Sequence, residues 1–231
     1  MHILCVIPVR GGSKGIPRKN LQPIAGKPLL AWTVEQACAA QAQLAPQHEL
    51  QVIVSTDDDE LAKIGRQYGA QLPFMRPADL AQDDTATEPV IEHAIHWAQS
   101  QGQTPDAVML LQATSPVRLP GTLARAVKEF TESGADSMVG VVPIGPFIWT
   151  ATQPPSAQYR VMARPRRQDL TPETYRYREN GSLYLTKTEI YKKYHNRLGG
   201  NIKLFILDEI EGIDIDSPLD FSIAEQQLQK I

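Results

Sequence analysis

The chain has 231 residues, enough for one large domain, or one domain with a smaller appendage, and long enough to bury both faces of a sheet. Hydrophobic residues make up 42% and charged residues 21%, the balance of an ordinary globular protein. The net charge of −3 argues against general nucleic-acid binding, so the basic residues must act locally.

Residues 3–8 are a short apolar run, predicted to be a buried parallel strand. It is too short for a signal-peptide core, and basic residues follow it rather than precede it. No segment approaches the length of a membrane span, so the expectation is a cytoplasmic protein. A loop then leads to a helix over 29–40, a strand over 50–55 and a helix over 58–68 with acidic residues in its first turn. Residues 76–87 read as a polar loop, 88–101 as a helix, 107–111 as a strand, 120–133 as a helix with Pro120 near its start, and 137–142 as a strand. Cys5 and Cys38 sit in an apolar strand and a helical pattern, as two buried thiols rather than a metal pair or a disulfide framework.

The composition shifts between residues 143 and 178, where prolines and arginines accumulate around Trp149, Tyr159, Tyr175 and Tyr177. This is not a further strand–helix unit but an inserted excursion that packs on something. The domain proper is then 1–142 with 179–231. Strands are predicted at 182–186 and 203–207, a short helix at 187–194, a brief strand end at 213–216, and a closing helix at 217–229 capped by Ser217 with Pro218 at its first position. Alternating strands and helices predict an α/β fold, a doubly wound, mostly parallel sheet of Rossmann-like type. In such sheets ligands lie outside the carboxyl ends of the strands. That selects the loop after Pro8, residues 55–57, 112–118 and 214–216.

The first of these loops holds Arg10, Gly11, Gly12, Ser13, Lys14, Gly15, Arg18, Lys19 and Asn20. Its glycines let backbone N–H groups approach an anion, and Arg10, Lys14, Arg18 and Lys19 suit a triphosphate or pyrophosphate. Neither the dinucleotide fingerprint nor the P-loop spacing is present. A solvated surface loop is the plain alternative, but the position after a first α/β strand favours an anion cradle. In Ile213-Asp214-Ile215-Asp216 an extended backbone puts both carboxylates on one face. Either a divalent cation separates them, Mg2+ carrying substrate phosphates suiting such oxygens, or they form an acidic patch before the last helix. His93 and His96 lack the zinc spacing and read as helix surface or groove lining.

The run IPVRGGSKGIPRKNL resembles the opening motif of the acylneuraminate cytidylyltransferases (CMP-nonulosonic acid synthetases). So do, in order, residues 54–57 (VSTD), Arg76-Pro77 with 80–85, LLQATSPVR at 110–118, RQDL at 167–170, RENGSLY at 178–184 and GIDIDSPLD at 212–220. The resemblance implies transfer of CMP from CTP to the anomeric hydroxyl of a sialic-type acid, with Mg2+ required and pyrophosphate released. It implies that Arg10 and Lys19 hold the triphosphate, with Gly11, Gly12, Ser13 and Lys14 nearby. Asn20, Arg76, Thr85 and Thr87 would contact the nucleotide. Gln112, Arg178 and Asn180 would line the sugar side, and Asp214 and Asp216 would carry Mg2+. Asp216 would take part in catalysis with Arg10 and Lys19. The excursion would be a dimerisation element of a homodimer, from which Arg167 reaches the substrate carboxylate in the neighbouring site. Ala113 departs from the usual proline, and the stretches around Asp83-Asp84 and between Asp169 and Tyr177 are longer than usual. The alternatives are another sugar nucleotidyltransferase of the same fold or a non-catalytic nucleotide-binding scaffold. The Ser13–Gly15 and Arg167–Asp169 motifs speak against the first, and the intact Arg10, Lys19, Asp214 and Asp216 against the second.

Overall fold

The computed structural model describes residues 1–12, 15–171 and 174–231. Strand β1 (His2–Pro8) is followed by a small hairpin, β2 (Pro23–Ile24) and β3 (Lys27–Pro28), and by helix α1 (Leu29–Leu44). Then come β4 (Glu49–Ser55), α2 (Asp59–Gln67), α3 (Thr87–Ser100), β5 (Ala107–Leu110), α4 (Thr122–Ser133) and β6 (Ser137–Ile144). The excursion carries the two-residue strands β7 (Trp149–Thr150) and β8 (Ser156–Ala157). The chain closes with β9 (Arg176–Lys187), α5 (Thr188–Tyr194), β10 (Ile202–Ile206) and α6 (Pro218–Leu228).

Six strands form the central sheet in the order β10-β6-β9-β5-β1-β4. β1 pairs in parallel with β4 and β5, and β10 with β6. The period of two along β1 divides the core. Ile3, Cys5 and Ile7 face a cluster with Leu30 and Val34 of α1 and Phe130 of α4, while Leu4 and Val6 face Ile91 and Ile95 of α3 and Tyr191 of α5. Each fully buried Leu or Ile contributes about 1.5–3 kcal/mol by leaving water. A third cluster, Ile24, Leu29, Ile215, Ala224 and Leu228, seats α6 against the small hairpin. Burial pushes the Cys5 thiol far above its ordinary pKa, the expected state of a buried thiol.

The helix starts follow the local chemistry. Asp58 accepts from the amides of Glu60 and Leu61 at the head of α2, and Ser217 and Asp220 form a reciprocal capping box before Pro218. No helix of the described residues is long and apolar enough to cross a membrane.

Three expectations need correction. The strand predicted at 182–186 is the end of a twelve-residue strand, β9, antiparallel to both β5 and β6. A chain that leaves the end of one strand and returns without a crossover helix must come back antiparallel. Residues 213–216 form no strand: the Ile215 amide is tied to the Thr114 carbonyl at 2.8 Å and the Asp216 amide to Oδ2 of Asp220 at 3.2 Å. The β6–β9 ladder also continues past residue 142, through Pro143↔Tyr177 to Ile144↔Arg176, so the excursion leaves from the tip of a paired ribbon.

Candidate active site

The carboxyl ends of β1 and β5 open into a pocket of about 470 Å³. The loop after β1 forms one wall. Its glycines are needed by what surrounds them: a Cβ on Gly11 would stand 2.7 Å from Oδ2 of Asp58, and one on Gly15 would stand 2.7 Å from the Asp216 carbonyl oxygen. The acidic run after β4 holds the loop in place. Oδ1 of Asp57 accepts from the Gly11 amide at 3.2 Å, and Arg18 pairs with Asp58 and Glu60 at 3.1 and 2.8 Å. Arg18 is therefore spent on anchoring the loop. Gly12 lines the pocket, whereas Ser13 and Lys14 lie outside the described residues.

Arg10 and Lys19 both reach the pocket. Nη1 of Arg10 donates to Oδ1 of Asp83 at 2.6 Å and to the Gln82 carbonyl at 3.1 Å, which ties the cation to the loop across the opening. Nζ of Lys19 donates to the Ile215 carbonyl and lies 3.9 Å from Oδ1 of Asp216. The lysine is 12% exposed and the aspartate 84%, so the cation is the positioned member of the pair and the carboxylate the free one.

Arg76 is buried and clamps the ends of β1 and β4. It donates to the Val9 carbonyl at 2.8 Å, to Oγ of Ser55 at 3.2 Å, and to the Ser55 carbonyl. Burial lowers its pKa to about 10, opposed by the charge of Asp57, and it remains a cation at neutral pH. Asn20 is buried in the pocket wall, and its amide oxygen has no partner among the described residues. Thr85 and Thr87 line the same wall, Thr87 opening α3.

Asp214 and Asp216 line the pocket where the acidic segment packs against Gly15 of the loop, and Oγ of Ser115 donates to Oδ1 of Asp214 at 3.3 Å. Gln112 enters from the end of β5. Its seat is made by an irregularity in β9, where Gly140 alone stands opposite residues 180–183. The Gln112 amide donates to the Gly181 carbonyl at 3.1 Å, and its side chain lies over Gly181 so closely that a Cβ there would fall 1.7 Å from Oε1. Arg178 and Asn180 do not line the pocket surface directly. Their side chains donate to the carbonyls of Gly212 and Glu211, at 2.8 and 2.9 Å, and fix the backbone leading to the acidic pair.

Sequence reasoning gave no role to two groups that build this edge. Arg118 is buried and donates to the Ser182 and Gln112 carbonyls, Oγ1 of Thr33 and Oε1 of Gln36. Glu211 is buried and accepts from the amides of Leu119 and Asp208, both at 3.0 Å, and from Oγ1 of Thr122 at 2.6 Å. The only sequence signal for Glu211 was its place directly before Gly212 and the acidic pair.

Arg167 lies on the exposed turn Arg167–Asp169, outside the pocket of its own chain. Its neighbour Arg166 makes a two-pronged pair with Asp169 at 2.6 and 2.9 Å. The excursion is held by its own aromatic cluster: Tyr159 packs edge-on against Phe147 and Trp149, and Arg164 stacks on Phe147. Trp149, Val161 and Met162 remain exposed.

Known proteins share this architecture. A solved CMP:2-keto-3-deoxy-manno-octonic acid synthetase complexed with CTP superposes with a TM-score of 0.70 at 18% identity, covering 100% of this chain and 99% of that one. A CMP-N,N'-diacetyllegionaminic acid synthase of Legionella pneumophila is 34% identical over 99% of this chain and 97% of its own. An N-acylneuraminate cytidylyltransferase A of Danio rerio is 33% identical over 98% of this chain, which spans 51% of that longer protein. The cytidylyltransferase family model matches residues 4–198, a span that takes in the glycine loop, Arg76, Gln112 and the β9 irregularity. With that match laid over a pocket ringed by cations and carboxylates at the strand ends, the chain belongs to the cytidylyltransferase family and is a nucleotidyltransferase.

Proposed function

We propose that this enzyme transfers CMP from CTP to the anomeric hydroxyl of a nonulosonic acid and releases pyrophosphate. The observation that carries this reading is a single pocket in which the loop bearing Arg10 and Lys19 faces Asp214, Asp216 and Gln112. The names of the Legionella and Danio relatives, at 34% and 33% identity, support the choice of acid class.

In this reading the triphosphate takes Arg10 from Asp83, and Lys19 draws the departing phosphates towards the Gly15–Asp216 contact. Asn20 offers its unpartnered oxygen to a donor of the cytidine, with Arg76 holding the strand ends beneath. Thr85 and Thr87 form the nucleotide wall. Gln112 orients the sugar acid, whose hydroxyl oxygen forms the new bond to the α-phosphorus as the bond to pyrophosphate breaks. Positioning and charge neutralisation supply most of the rate in such transfers.

Asp214 and Asp216 fit a hard divalent cation. Both are carboxylates on the pocket wall, and Asp216 is largely unpaired. Among the described residues no group of three or more metal-binding side chains converges, and Asp214 and Asp216 are the two carboxylates that would hold Mg2+ there. Bound so, Mg2+ supplies neutralisation of charge on the transferring phosphate. The exposed apolar face of the excursion and the outward Arg167 support a homodimer in which Arg167 meets the substrate carboxylate of the neighbouring site. We place the enzyme in the cytoplasm.

The test is pyrophosphate release from CTP and Mg2+ with N-acetylneuraminate, legionaminate, pseudaminate and an eight-carbon keto acid in parallel. Release with a nine-carbon acid is expected. Activity only with the eight-carbon acid, or with none, rejects the proposal.

A further inference from the structure

We propose that Arg118 and Glu211 are positioning residues, a buried cation and a buried anion that do not touch, which together lock the segment carrying Asp214 against the strand end carrying Gln112. The two charges bracket one corner of the chain, residues 118–122. From one side of it Arg118 grips the Gln112 carbonyl at 3.1 Å and the Ser182 carbonyl at 2.7 Å. On the other, Glu211 receives the Leu119 amide and the Thr122 hydroxyl. The peptide that follows Glu211 is tied in turn by Asn180, Arg178 and the Thr114 carbonyl. A Cβ on Gly212 would stand 2.7 Å from Cγ1 of Val142, so this peptide has no room to shift towards the sheet.

The chemistry of the corner is unusual for a structural joint. Both side chains are almost wholly buried, yet neither forms an ion pair among the described residues. Each charge is satisfied by neutral dipoles: carbonyls, a hydroxyl and an amide around Arg118, and two amides and a hydroxyl around Glu211. A lone buried charge costs several kcal/mol, and hydrogen bonds offset that cost only while every partner stays in place. The arrangement therefore resists small displacements, because any slip leaves a charge short of a partner. Burial lowers the Arg118 pKa to about 10, with the charges of Cys5, Glu211 and Asp214 acting the other way. Residues about a hundred positions apart, Gln112 and Asp214, are thus fixed to opposite flanks of one corner.

The inference rests on the proposed chemistry for its functional half, and the experiment separates the two. Glu211→Gln keeps the shape but presents an N–H2 where an acceptor is required. Thr122→Val, a milder change, removes one hydrogen bond and secures the test if the first variant fails to fold. Val127→Ala, a cavity in the same helix away from the corner, serves as a control of matched melting temperature. Hydrogen exchange of the peptide spanning residues 208–217 is followed alongside steady-state kinetics. For the Glu211 and Thr122 variants, exchange in that peptide should rise about tenfold more than in β1, and kcat should fall about tenfold with the KM for CTP little changed, the range seen when groups supporting a catalytic set are altered. The control should show neither effect. Uniform exchange across the chain, or local loosening without loss of kcat, overturns the proposal. If the wild type itself releases no pyrophosphate, the proposed function fails, while the exchange data still decide whether the corner locks the segment.

Discussion

Gly181 offers a way to move one side chain without touching the scaffold. An alanine there would place its Cβ 1.7 Å from Oε1 and 2.6 Å from Cδ of Gln112, and the nearest atoms met all belong to that flexible side chain. Gly181 is not among the positive-φ glycines, so alanine suits the backbone, and the restriction of the unfolded chain is worth about 0.4–1 kcal/mol in its favour. Gly181→Ala should therefore fold with a melting temperature within about 2–4 °C of the wild type, the shift that 1 kcal/mol produces in a chain of this size. Gln112, however, must swing out of its seat. Losing the hydrogen bond proposed for it to the sugar acid, with the substrate group left unpaired, costs about 1–3 kcal/mol, or about 5- to 160-fold in kcat/KM for the acid. The assay is pyrophosphate release at saturating CTP across a range of acid concentrations, with Gln112→Ala alongside. If Gly181→Ala keeps the wild-type kcat/KM while Gln112→Ala loses it, the alanine has not displaced the amide and the geometric argument is wrong. If both variants match the wild type, Gln112 does not contact the acid.

Asp216→Ala should abolish turnover and leave the thermal unfolding curve within about 0.5 kcal/mol of the wild type, since an exposed carboxylate with one distant cation contributes little to stability; retained turnover would remove Asp216 from the chemistry. Mixing Asp216→Ala with Arg167→Ala should restore activity that neither variant has alone, because a mixed dimer regains one complete site; no recovery after proven subunit exchange would confine Arg167 to its own chain. The Glu88–Arg197 pair, at 2.7 Å, gives a pH test. Burial raises the Glu88 pKa, but the Arg197 hydrogen bond, a backbone hydrogen bond at Glu88 itself and the Arg197 charge together hold the carboxyl below its ordinary value. A depressed folded-state pKa stabilises above the unfolded value, near about 4.3, and that stability is lost as pH falls through the folded value. Glu88→Gln should thus lower the melting temperature at pH 7, with the difference from the wild type shrinking below about pH 4; a difference independent of pH would refute the pairing as its cause.

The glycine loop was legible because it combines two local signals, glycines and cations, directly after an apolar run. The capped start of α6 was equally plain, Ser217 and Pro218 occupying the positions their chemistry favours. The direction of β9 was not legible, since a short apolar run carries no sign of whether its neighbours run with it or against it. The roles of Arg118 and Glu211 were hidden for a related reason. In sequence, charged residues read as exposed, and what buries these two is a convergence of carbonyls and amides from five separate stretches of chain. Arg10 shows a subtler gap: its placement at the pocket follows from the motif, but its partner Asp83 lies in a loop that periodicity leaves blank.

The approach of Gly15 to the Asp216 carbonyl joins two stretches some two hundred residues apart through a gap that admits no side chain. The loop and the acidic segment are thereby one heritable unit. A residue inserted into either would have to be matched in the other, so their lengths should drift together if at all, whereas the excursion beyond β6 is free to grow. The same contact limits engineering: moving the loop alone into another α/β scaffold would transplant the cations without the surface that aligns them, and a working graft would have to carry the chain's two ends together.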